Sequence, residues 1–99
     1  MFELLFTARA QKDLKALERG GRHEGLVKQV KKTLAYLQHN PKHPSLQTHP
    51  YSSISNPLNP EEKVFEAYAQ NHTPAAYRIF WCYGPVKNQI TIIAVTPHP

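Results

Sequence analysis

The spacing of apolar positions changes along the chain, and each change marks a new element. Phe2 to Phe6 (FELLF) is an apolar run with no breaker, which predicts a short buried strand. From Ala8 to about Glu18 the period lengthens to that of a helix. Ala10, Leu14 and Leu17 share one face, while Arg9, Lys12 and Lys15 lie on another. Thr7 stands where an N-cap hydroxyl accepts from an otherwise unsatisfied N–H, and Gly20-Gly21 ends the run. A second helix is predicted from about His23 to Gln38, with Leu26, Val30, Leu34 and Leu37 as its core stripe. Asn40-Pro41 stops it, because proline disfavours helical dihedrals in the residue before it.

From Asn40 to Pro60 the pattern dissolves into five prolines with Ser, Asn and His between them. Loops of that length are seldom structureless in a small domain unless they serve a purpose. Leu46, Tyr51, Ile54 and Leu58 are expected to pin parts of it to the body. Alternation then predicts three strands: Lys63 to Gln70, Ala76 to Tyr83 and Gln89 to Thr96, separated by turn-forming residues. The layout is β-α-α-β-β-β. It predicts an α+β fold, with two N-terminal helices packed on one face of a mainly antiparallel, four-stranded sheet.

Ninety-nine residues, 40% of them hydrophobic, suit one domain spanning 1–99. The longest apolar run, Ile90 to Val95, is too short for a bilayer, so no membrane association is expected. Met1-Phe2-Glu3 carries no basic leader, and the single Cys82 cannot form an internal disulfide; both agree with a cytoplasmic protein. The formal charge of +5 and a pI near 9.5 favour polyanionic partners, with solubility as the plainer explanation.

One charged residue sits inside the most apolar strand. In the stretch AAYRIFWCYG, Tyr77, Ile79, Trp81 and Tyr83 share a face, and Arg78, Phe80 and Cys82 share the other. If Ile79 and Trp81 meet the helices, Arg78 projects from the helix-free side, beside Glu66 and Tyr68 of the preceding strand. A structural ion pair with Glu66 is the bland alternative. His39 and His43 have i,i+4 spacing, and His49 follows. Pro41 breaks the helix that would align the first two, and no Cys or acidic ligand lies near, so no metal and no cofactor is expected. Cys82 reads as apolar filler, Trp81 and Tyr77 as core, His23 as solvated, and His72 as a reserve acid–base group in a turn.

The element order, the basic first helix, the Tyr-Arg-Ile-Phe-Trp strand and the apolar last strand closing on a His together resemble the RelE/ParE toxin superfamily of bacterial type II toxin–antitoxin systems. The resemblance covers nearly the whole chain, with AAYRIF as its most specific stretch and the segment 40–60 as its main departure. For the RelE-like branch it implies a ribosome-dependent, metal-independent mRNA endoribonuclease. Its partners are a cognate antitoxin, forming a toxin–antitoxin hetero-oligomer, and mRNA in the A site of the 70S ribosome. The ribose 2′-OH attacks the adjacent phosphate, a base takes its proton, an Arg stabilises the charge, and an acid protonates the leaving 5′-oxygen. Carried over, Arg78 aligns with the charge-stabilising Arg, His98 with a C-terminal general acid, and Glu66 with the general base. Tyr68 and Phe80 would stack bases. Lys63, Lys28, Lys31, Lys32 and Arg22 would hold phosphates.

The chain also departs from the pattern. Glu66 and Tyr68 stand where many RelE-type toxins carry lysines, and Thr96-Pro97-His98-Pro99 replaces a Lys-Arg or His-Tyr ending. Two further readings stay open: a ParE-like DNA gyrase inhibitor without nuclease chemistry, and a non-catalytic basic domain that binds RNA or protein.

Overall fold

The computed structural model describes residues 1–20, 24–70 and 76–97. Its elements are β1 (Glu3–Phe6), α1 (Ala8–Arg19), α2 (Glu24–His39), a 3-10 turn at Pro44–Leu46, β2 (His49–Pro50), β3 (Phe65–Tyr68), β4 (Tyr77–Tyr83) and β5 (Gln89–Pro97). The sheet is five-stranded and mixed, in the order β1-β5-β4-β3-β2. β1 runs parallel to β5 and every other pair is antiparallel. The α+β architecture is as expected. The fifth strand is the difference: two residues of the proline-rich segment pair with the free edge of β3.

Local chemistry explains how α1 is set on the sheet. The Thr7 hydroxyl accepts from the Ala10 N–H at 3.1 Å and donates to the Ile93 carbonyl at 2.8 Å, so the cap is also a tether. Asp13 accepts the Val95 N–H at 2.9 Å. Both contacts flank an irregularity in β5: Phe80 faces Ala94, but Trp81 faces Ile92. The extra residue, Ile93, is a bulge that breaks the ladder, and α1 side chains satisfy the backbone groups around it. Gly20 caps the other end of α1, its N–H donating to the Leu17 carbonyl.

The core has two compartments. Ala10, Leu17, Val30 and Leu37 of the helices pack on Ala67, Ile79, Trp81, Ile90, Ile92 and Val95 of the sheet. On the opposite face, Val64, Phe80, Cys82, Ile93 and Ala94 form a second buried cluster under Tyr51 and Ile54. The proline-rich segment is therefore ordered. Leu46 is fully buried, and the buried Asn56 accepts from the N–H groups of Leu58 and Asn59 while donating to the Lys63 carbonyl. Leu58, expected as a fourth pin, is exposed. Among the described residues no helix is long and apolar enough to cross a membrane.

Candidate functional site

The helix-free face divides at position 79 of β4. Toward the centre of the sheet lies the dry cluster around Phe80. Toward the Tyr77 end, β3 and β4 bring a set of polar and aromatic groups together. Tyr68 is the cross-strand partner of Arg78, and Glu66 that of Phe80, so Glu66 and Arg78 are diagonal neighbours. On the outer edge His49 pairs with Glu66. Strand periodicity therefore aims His49, Glu66, Tyr68 and Arg78 to one side.

The Arg78 guanidinium lies flat on Tyr68, its Cζ 3.8 Å from the ring centroid, a stacked cation–π contact. Nη1 donates to the Gln70 carbonyl at 2.8 Å and the Tyr77 carbonyl at 3.2 Å. Nε lies 3.8 Å from Glu66 Oε2, an ion pair beyond hydrogen-bond reach. Among the described residues no acceptor bonds Nε or Nη2. The ring stack and two carbonyls thus immobilise the group, while the edge that grips an oxyanion bidentately has no hydrogen-bond partner among the described residues. Leaving a buried donor unmade costs on the order of 1–3 kcal/mol, and such groups call for a physical account.

Glu66 and His49 form the second part. Glu66 is 1% exposed and His49 43%, with His49 Nε2 2.7 Å from Glu66 Oε1. His49 Nδ1 is 3.1 Å from the Gln47 carbonyl. A carbonyl only accepts, so this contact calls for the proton on Nδ1 and turns Nε2 toward the carboxyl. Tyr68 meets the imidazole edge-on at 5.7 Å. The arrangement can hold an anion on Arg78 and sets the Glu66 carboxylate, braced by His49, beside it as a proton acceptor.

Two residues along β4 the environment reverses. Phe80, expected to stack a base, is fully buried with Tyr51 packed on it at 4.8 Å between centroids. It is core, because the proline-rich segment returns over that half of the sheet. Cys82, beside it, is also fully buried. Burial pushes its thiol up from its ordinary value, against a weaker opposing pull from the Asn56 side chain.

By sequence, no family model and no curated protein matches the chain. Its three-dimensional form has clear relatives. The YoeB/ParE toxin from Agrobacterium tumefaciens superposes with a TM-score of 0.71 over 99% of this chain and 100% of that one, at 11% identity. YafQ from E. coli gives 0.66 over 99% and 94%, at 13% identity. A chain of the intact E. coli RelBE toxin–antitoxin complex gives 0.64 over 100% and 99%, at 16% identity. This protein has the RelE/ParE toxin fold.

On that fold the expected site residues separate into groups. Arg78, Glu66 and Tyr68 come together. Lys63 does not join them: it is exposed at the far end of β3, five residues before Tyr68, roughly 17 Å along an extended chain. Lys28, Lys31 and Lys32 are exposed on α2, and they diverge. Lys31 borders the crevice between the helices with Leu14 and Glu18, while Lys32 borders a groove that reaches Tyr68. His98, Arg22, His23 and His72 lie outside the described residues. His43, weighed as a metal ligand, accepts the Ser45 N–H and stacks on Tyr36 at 4.3 Å.

Sequence reasoning missed His49 as a partner of Glu66. A signal existed. Tyr51 was expected to pin its segment to the sheet, and in extended chain the residue two positions earlier points the same way.

Proposed function

We propose that this protein is the toxin of a bacterial type II toxin–antitoxin pair, and that it acts in the cytoplasm as a ribosome-dependent, metal-independent mRNA endoribonuclease. The observation that carries the reading is the Nε–Nη2 edge of Arg78, which makes no hydrogen bond among the described residues, stacked on Tyr68 and set beside the His49–Glu66 pair. A fixed cation facing a phosphate stabilises the charge that develops when the ribose 2′-OH attacks it, without reorganisation at the moment of reaction. The O–P bond to the ribose 2′ oxygen forms and that to the 5′ oxygen breaks. The 2′-OH proton passes to the Glu66 carboxylate, whose other oxygen His49 holds, and His98 returns a proton to the leaving 5′-oxygen. Glu66, 1% exposed, meets His49 through Oε1 and faces Arg78 through Oε2, which puts the base beside the cation that holds the phosphate. Tyr68 offers an aromatic platform for a base and the α2 lysines offer phosphate contacts. The relationship in form to a chain of the E. coli RelBE toxin–antitoxin complex supports a cognate antitoxin as partner.

The test is a bacterial translation extract carrying a defined mRNA, with metal chelated as far as translation allows. The parent cleaves the message only when ribosomes engage it. Arg78→Ala, shown folded by circular dichroism, cleaves at least a hundredfold more slowly. Intact transcripts with inhibited gyrase would replace this reading by the ParE-like one. Intact transcripts, no toxicity, and loss of the fold in Arg78→Ala would reduce the Arg78–Glu66 pair to a structural role.

A further inference from the structure

A groove of about 400 Å³ opens on the other side of Tyr68, between α2 and the edge of β3 that β2 leaves free. We propose that it is a recognition pocket for one nucleobase of a single-stranded RNA, the base next to the phosphate held by Arg78. This rests on the endoribonuclease reading and adds a specificity site to it.

Four observations lead there. The groove shares two residues with the Arg78 site. Tyr68 stacks under the guanidinium and also lines the groove; Gln70 holds Nη1 with its carbonyl and lines the groove too. A chain whose phosphate meets Arg78 therefore has its neighbouring base at the groove mouth. Two aromatic residues, Tyr36 and Tyr68, border it. Tyr36 is set before any ligand arrives, because the Ser45 N–H orients His43, and His43 stacks on Tyr36 at 4.3 Å and 19°. Preset aromatic faces bind bases at low entropic cost, and every base has a face to offer.

The rim carries the means to read an edge. The side chains of Gln29 and Ser45 make no hydrogen bond among the described residues. Gln70 Oε1 accepts the Tyr77 N–H, which leaves its amide Nε2 as donor. Amides and hydroxyls of this kind distinguish bases by their Watson–Crick or Hoogsteen edges. Finally, among the described residues no carboxylate lines the groove, and its one charge is Lys32, whose Nζ lies 5.8 Å from the Tyr36 ring centroid. The volume is in the range of small-ligand sites. A short, polar, cationic recess of this shape suits a base better than the apolar anchor of a protein helix.

The test uses fluorescent 2′-O-methyl RNA trimers, which cannot be cleaved, in equilibrium binding without ribosomes. One trimer has all bases, and two others are abasic at one or the other residue flanking the first phosphate. The parent is expected to lose about tenfold in affinity for one abasic trimer and little for the other. Gln29→Trp, an exposed helix position filled with a bulky ring, abolishes that difference while circular dichroism stays unchanged. Gln29→Ala retains most of it. Arg78→Ala weakens all three trimers alike. Equal binding of all trimers by the parent, or a difference that survives Gln29→Trp, overturns the pocket. Messenger RNA left intact in the translation extract overturns the nuclease reading separately, since trimer binding does not depend on cleavage.

Discussion

Arg78 and Phe80 are two residues apart on one strand, with side chains on the same face of the same sheet, and their surroundings are opposite. Phe80 is sealed under Tyr51 in a dry cluster with Cys82 and Ala94. Arg78 lies on Tyr68 with its Nη1 held by two carbonyls and its bidentate edge without a hydrogen bond among the described residues. The strand does not produce the difference; the segment 49–64 does. Tyr51 and Ile54 cover one half of the face, and at the other half the same segment contributes His49 to the Glu66 carboxylate. A stretch that looks like linker both completes a core and borders a site.

The contrast can be broken experimentally, beginning where the effect is largest. Arg78→Ala should slow mRNA cleavage by about a thousandfold, because removing one fixed donor aimed at developing charge costs on the order of 10²–10³ and a guanidinium supplies two. Its urea midpoint should move far less than that of a core truncation. A collapse of stability instead would put Arg78 in the same class as Phe80. Phe80→Ala should lose roughly 3–5 kcal/mol of unfolding free energy, while cleavage per folded molecule stays within a few-fold of the parent. If cleavage fell as steeply as for Arg78→Ala, the dry half would belong to the site.

His49→Gln separates the two roles of the proline-rich segment. Cleavage should drop by about a hundredfold, and the rising limb of the pH–rate profile should shift, because the group that holds the Glu66 base is changed. Stability should fall by no more than about 1–2 kcal/mol, since the buried carboxylate keeps Arg78 and gains an amide neighbour. A purely structural His49 would shift the urea midpoint and leave the pH profile in place.

The smallest effect concerns the thiol of the dry half. Burial raises Cys82 above its ordinary 9.0, so the folded state holds that proton to higher pH than the unfolded chain does. The resulting stability is complete below about pH 9 and is lost as pH rises further. The urea midpoint should be level between pH 7 and 8.5 and decline toward pH 10.5. Cys82→Ala should decline less steeply. It should keep the part due to Tyr83, which burial also raises from 10.0. Identical slopes in parent and variant would show that the thiol is not sealed.

Much of the fold was legible because its signals are local. Thr7 caps α1 where a hydroxyl before an apolar period would, and α1 and α2 begin and end within a residue or so of the positions set by Gly20, Asn40 and Pro41. Period-two alternation put Arg78, Glu66 and Tyr68 on the helix-free face, and they are there. The bulge at Ile93 was not legible. In the run Ile90 to Val95 both faces are apolar, so nothing in the pattern marks the position where two successive side chains turn to the same side. Phe80 was misread for a different reason. Alternation tells which face a residue points to, but not what comes back to cover it.

What the sequence determined by itself is the set of decisions made within a few residues: where helices start and stop, and which side of a strand each side chain takes. These follow from capping, proline geometry and periodicity, which act at short range. Only the tertiary structure decided which half of the helix-free face is dry, that Glu66 meets His49, and that the Arg78 guanidinium lies flat on Tyr68. Those outcomes depend on where a proline-rich segment settles against strands that follow it in the chain. Its few apolar anchors set that placement through contacts across the fold rather than through any local pattern.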